Sequence, residues 1–167
     1  IDVISDMTPR NGSNDVDVFS SPQVTFNYTI DQEFEMIDDV DNTKHKFRIK
    51  FDHFEVKQGS AKVKGDLVWN SDHNVVAFES FEVLPGKSDL TASVKVHFEE
   101  FKNNVWAEVK DDDGVVFSES RDVTFKTGDL PDYIPTKNIA HSYPLINQTN
   151  YYSKEHNTGH ITLKKGQ

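Results

Sequence analysis

Three groups of side chains have residue types and spacings that could do chemistry. Asp111-Asp112-Asp113-Gly114 puts three carboxylates in one short loop, the hard-oxygen set that calcium takes. Asp38-Asp39-x-Asp41 repeats the theme. Neither has the spacing of an EF-hand loop with its closing Glu, and Asp-Gly is also a preferred hairpin pair, so a solvated turn is the ordinary reading of Asp111 to Gly114. Trp106 stands between Val105 and Ala107 on the polar phase of its run, with Glu108 and Lys110. A flat apolar ring with polar neighbours is what a sugar stacks on, and Tyr151-Tyr152 offers a similar platform. The ordinary reading of Trp106 is a ring covered by a neighbouring strand or loop. Trp69, in phase with Leu67, reads as core.

Other chemistries find less support. His156 and His160 flank a turn at Asn157-Thr158-Gly159, but a zinc site needs more ligands than two. There is no Gly-x-Ser-x-Gly elbow, no glycine-rich phosphate loop, and no pair of acids that spacing singles out for glycoside cleavage. The chain has no cysteine, which removes thiol catalysis, thiolate metal sites and disulfides. The expectation is a non-catalytic protein without a cofactor, calcium at Asp111, Asp112 and Asp113 being the metal candidate.

Composition narrows the partners. A net charge of -10 repels phosphate backbones and anionic membranes, which counts against nucleic acid. No apolar run has the length of a membrane span, so no direct insertion is expected of this segment. The 12 Phe among 167 residues are core-filling side chains that a disordered chain would lack. A start at Ile1 rather than Met is expected of a trimmed segment, and Lys164-Lys165-Gly166-Gln167 reads as a cut.

The elements that would position these residues are strands. Leu90, Ala92, Val94, Val96 and Phe98 alternate without a miss with Thr91, Ser93, Lys95, His97 and Glu99, giving one dry face and one wet face. Lys102-Asn103-Asn104 turns the chain, and Val105, Ala107 and Val109 resume the period. Gly114 supplies the positive φ of a second turn, and Val115 to Phe125 returns. Gln23 to Ile30 alternates in the same way. So does Lys46 to Phe51, with a slip of one at Asp52-His53 that predicts a bulge or tight turn. Ala61 to Trp69 reads as one strand around Gly65, Asn70 to Asn74 as a turn, and Val75 to Phe78 as the next strand. Val16-Asp17-Val18 is a brief edge candidate, and Asp31 to Asn42 fits a helical turn or a loop equally. Seven or eight short strands separated by turn signals predict an all-β fold, an antiparallel β-sandwich.

The order of these pieces resembles the bacterial Ig-like domains of surface-layer and other secreted bacterial proteins. Pro9-x-Asn11-Gly12-Ser13-x-Asp15-Val16-x-Val18 is similar to the opening Pro-x-x-Gly-Ala-x-x-Val-x-Val signature of that family. Val24-Thr25-Phe26 stands where its next strand begins, and Leu84-Pro85 before the Leu90 strand resembles its Leu-x-Pro segment without the usual Tyr. Asp113-Gly114 and Phe125-Lys126-Thr127-Gly128 resemble its closing turn and terminal strand. The resemblance implies an immunoglobulin-like sandwich of about seven strands over residues 1–128, acting as a structural or adhesive module of a longer secreted or cell-surface chain. Its partners would be neighbouring domains of the same chain, and a glycan or surface protein. A carbohydrate-binding module using Trp106, Tyr151 or Tyr152, or an accessory domain of a glycan-processing enzyme, is the alternative. Asp129-Leu130-Pro131 opens a proline-marked linker over 129–140, and 141–167 reads as an extended segment and hairpin that packs on the sandwich or begins a second domain.

Overall fold

The computed structural model describes residues 2–132. Tyr151, Tyr152, most of the linker and the hairpin expected after it lie outside the described residues. The described chain has no helix. It forms β1 (Ile4–Thr8), β2 (Gln23–Phe26), β3 (Phe34–Ile37), β4 (Lys44–Gln58) and β5 (Ala61–Lys62). β6 (Gly65–Trp69), β7 (Val75–Ser80), β8 (Asp89–Lys102), β9 (Val105–Glu108) and β10 (Ser118–Lys126) complete it. Two antiparallel sheets pack together, one in the order β1-β2-β7-β6, the other β10-β8-β4-β3 with β5 on β4 and β9 on β8.

β8 shows the predicted alternation directly. Leu90, Ala92, Val94 and Val96 are all at most 1% exposed and face the other sheet, while Lys95 is exposed. β8 pairs with β4 along nearly its whole length, and this pair of long strands is the spine of the larger sheet. The slip of phase at Asp52 is a bulge: the register shifts between Phe51 and His53, and the strand continues, so Ile49, Phe54 and Val56 all reach the core. The turns behave as their residues dictate. Asn103 and Asn104 both take positive φ (52° and 65°), the requirement of a two-residue hairpin of the I′ kind, and Gly114 sits at 82°.

Ten strands replace the seven or eight expected because Ile4–Thr8, not read as a strand from the sequence, pairs with β2 as β1, and because two further stretches behave differently. The run from Ala61 to Trp69 breaks at Val63-Lys64, and its halves join different sheets: β5 pairs β4, and β6 pairs β7. Within 31–42 the chain forms β3 against β4, with Phe34 opposite Phe47. The run from Gln23 to Ile30 is ladder only as far as Phe26, yet Tyr28 and Ile30 stay buried. There the backbone finds bonds outside a ladder: Asn27 N–H donates to the Val3 carbonyl, Ile30 N–H to His73, and Asp31 N–H to Ile49 of the opposite sheet.

The outer edge of β10 is covered by the segment before β2. Gly12 N–H donates to the Thr124 carbonyl (2.7 Å), Lys126 N–H to Ser13 (2.8 Å) and Val16 N–H to Lys126 (3.0 Å). Val16 makes a single parallel bridge to Thr127 in place of the expected edge strand. Upstream, Val3 and Ile4 N–H both donate to the Glu119 carboxylate (2.9 and 2.7 Å). A pairing edge is thereby closed to other chains.

Candidate functional site

Beyond Phe98 the larger sheet runs on past the smaller one. β3, the start of β4, the end of β8 and β9 form an extension there, with a hairpin from Val109 to Phe117 beside them. The extension has two chemically distinct faces.

On the outer face, β8 and β9 pair so that Phe101 lies opposite Trp106 and Glu99 opposite Glu108. Trp106 is half-buried, as a covered ring would be. Arg48 of β4 lays its guanidinium over the indole at 4.3 Å, and Phe101 packs at 5.2 Å between centroids. The Arg48 guanidinium also donates to Glu99 Oε1 from Nε (2.7 Å) and lies 2.6 Å from it at Nη2, which fixes it over the ring. A sugar approaching that side of Trp106 meets arginine first. His97, on the wet face of β8, is bound at Nδ1 to Asp52 Oδ1 (2.8 Å), the bulge residue, and lies 3.7 Å from Glu99 and 3.9 Å from Glu108.

The turn between β3 and β4 gathers the second acidic group. Asp38, Asp41 and His45 have ligand atoms within 4.8 Å of one another, a set that sequence reading left incomplete by stopping at Asp41. The signal was present as Asp38-x-x-Asp41-x-x-x-His45. Thr43 Oγ1 lies 2.6 Å from Asp41 Oδ1 and 2.8 Å from His45 Nε2, and His45 Nδ1 lies 2.6 Å from Glu100 Oε2. One hydroxyl proton cannot serve both Asp41 and a bare Nε2. A protonated ring resolves this: it donates to Glu100 and to Thr43, and Thr43 donates to Asp41. Accordingly the Glu100 hydrogen bond, more than the opposing desolvation of the ring or the charges of Asp38 and Asp41, holds the His45 pKa above its ordinary value. Thr43 holds the Asp41 carboxyl below its own. The arrangement satisfies itself with a proton; two carboxylates and an imidazole are also a donor set for a divalent cation.

Asp111, Asp112 and Asp113 lie exposed at the tip of the Val109–Phe117 hairpin. Asp111 Oδ1 accepts from the N–H groups of Asp113 and Val115 (both 2.9 Å), so this carboxylate shapes the turn.

The inner face of the extension is apolar. Phe34, Met36, Phe47, Phe98, Val109 and Phe117 line a trough of about 170 Å³ to which no strand of the smaller sheet contributes. Val105 and Ala107, predicted to face inward with Val109, lie on this side but are exposed, because no second layer reaches them. Larger open troughs of about 580 Å³ each run along the side of the sandwich between β4 and β6, lined by Phe51, Phe54, Leu67 and Phe81 with Glu55, Lys62 and Lys64, and onward past Gln58 and Pro85. Glu55 is held below its ordinary pKa there, first by Lys62 and then by Lys57. Trp69, expected in the core, packs on Phe26, Phe51 and His73 at its border, while Leu67, in phase with it, stays 36% exposed.

No protein-family model matches the chain, and no curated protein matches it either.

Proposed function

We propose that residues 2–132 are a non-catalytic, immunoglobulin-like module that holds its neighbours apart along a longer secreted or cell-surface bacterial chain. The observation that carries this reading is where the chain comes in and goes out. Asp2 and Val3 lie beside Asn27 and Glu119, at the start of β10. The chain leaves past Thr127 and Gly128, bound to Val16 and Lys87 at the other end of that strand. With about 3.3 Å per residue, β10 separates the two ends by ~26 Å. A body entered at one end and left at the other adds length to a chain, and its two-sheet core supplies rigidity. Replacing residues 2–132 in the parent chain by an unrelated sandwich of equal span should preserve the parent's activity at the cell surface. Loss of that activity would show that a specific partner, rather than length, is what the module provides.

A second reading, adhesion to glycans, is favoured by the aromatic pair Phe101 and Trp106 among charged groups on an outer face, Phe101 being 36% exposed. A glycan array probed with the protein and with Trp106→Ala separates the two. Binding lost in Trp106→Ala supports adhesion, and silence across the array supports the spacer.

A further inference from the structure

The uncovered trough at the end of the larger sheet is the most unusual surface of the described chain. Its floor is Phe34, Met36, Phe47 and Phe98, and Phe117 on its rim is 51% exposed, with Val115 (61%) and Val105 (58%) close by. Contiguous apolar surface of this kind marks a place where something docks. Its surroundings are acidic. The hairpin that supplies Val109 and Phe117 ends in Asp111, Asp112 and Asp113. On the other side His45, paired in register with Met36, is bound to Glu100, and Asp38 lies 3.9 Å from its ring. Lys102, 3.4 Å from Glu100, the protonated His45 and Lys110 at the base of the hairpin offset part of this charge but not the whole of Asp38, Asp41, Glu100 and Asp111 to Asp113.

We propose that the trough takes the segment 151–165 of this same chain, folded back over the sandwich. Its charge fits. Residues 133–167 carry Lys137, Lys154, Lys164 and Lys165 against Glu155 alone, a net charge of +3 where the whole chain is -10. A second copy would bring its own acidic body to an acidic rim, which disfavours self-association at this face. Its side chains fit as well. Tyr151, Tyr152, Ile161 and Leu163 supply large apolar groups next to Lys154, Lys164 and Lys165, so anchors for an apolar floor come with cations for a carboxylate rim. Its reach is sufficient. The described chain ends at Asp132, at the far end of β10 from the trough, a distance of ~26 Å plus a few residues. Residues 133–150, fully extended, span up to ~60 Å. A tethered partner acts at an effective concentration on the order of millimolar, which a weak contact can use.

Docking of 151–165 brings the chain back to the end at which it came in, so the span across the module depends on whether the trough is filled. This holds whether or not the spacer reading is correct, since it concerns only the chain's own contacts.

The absence of cysteine makes a clean test. The full chain carrying Ser153→Cys labelled with a nitroxide is examined by paramagnetic relaxation enhancement. Backbone amides of Phe47, Phe98, Val109 and Phe117 should lose more than half their intensity, and those of β6, on the other sheet, should keep theirs. The loss should disappear in Tyr151→Ser/Tyr152→Ser, in residues outside the described strands, and should weaken in Phe117→Ser, at a ring 51% exposed on the rim, with an unchanged amide spectrum of β7 and β8 confirming that each variant keeps the fold. It should also weaken in high salt, as an acidic rim requires. Unbroadened trough amides, broadening elsewhere, or broadening that survives the tyrosine substitutions would overturn the proposal. Mixing spin-labelled chains without isotope with isotope-labelled chains without spin label distinguishes the remaining case: broadening of the trough there would assign it to a second copy and overturn the assignment to the same chain.

Discussion

At the scale of single residues, His45 is the group whose state matters most. Its ring stands between Glu100 on one nitrogen and Thr43 on the other, with Asp38 and Asp41 beyond. Because the folded ring holds its proton more tightly than a free histidine, the stabilisation it brings is fully present below the ordinary histidine pKa. It is lost as pH rises through the higher folded value. Glu100→Gln should therefore move the His45 titration, followed by NMR of its ring protons, back towards the ordinary value; an unchanged titration would mean that Glu100 is not the dominant partner. Of this group the sequence showed the carboxylates of the turn and nothing more. His45 lay four positions on, at a spacing that could have been read, whereas Glu100 comes from another strand 55 residues away and depends on the register of β4 against β8. The same is true of Trp106. Its face was legible from the alternation, but the arginine over it arrives across the sheet from Arg48.

At the scale of elements, burial follows phase wherever a second layer exists to receive it. Phe26→Ala and Val94→Ala, both in the core at 2% and 0% exposure, should each cost about 2 to 5 kcal/mol in chemical denaturation. Lys95→Ala, on the wet face of β8, should leave the midpoint where it was. Gly65 opens β6 where the chain has just crossed between sheets, and a Cβ there would press on the Glu79 carbonyl and the Phe78 ring. Gly65→Ala should cost about 1 to 3 kcal/mol, and a neutral result would mean that the start of β6 can shift away from β7, its neighbour in the same sheet. β8, β7, the Asp52 bulge and both hairpin turns were legible because each is dictated locally, by alternation or by a residue that tolerates positive φ. β3 was not, since Phe34 to Ile37 is short and set among acids, and only its partner β4 makes it a strand. The division of β5 from β6 was hidden for a related reason. Alternation continues through Val63 and Gly65, and nothing local announces that the strand has changed sheets.

At the scale of the whole molecule, an all-β fold of two packed antiparallel sheets is what the patterning foretold. The extension beyond the smaller sheet was not foretold, because strand lengths in one sheet do not reveal where the other stops. That overhang left Val105, Ala107 and Phe117 without cover, and it produced the trough. A further consequence lies in the direction of the two terminal segments. The residues from Val3 to Val16 run beside β10 in the same sense, joined by Gly12 to Thr124, Val16 to Lys126 and Gly128 to Val16. Tension applied to the chain on either side of the sandwich would slide these segments past each other, straining the cross-links together instead of one after another. A seam loaded in this way ruptures as a unit, so the force this body withstands is set by how fast it unfolds rather than by its equilibrium stability.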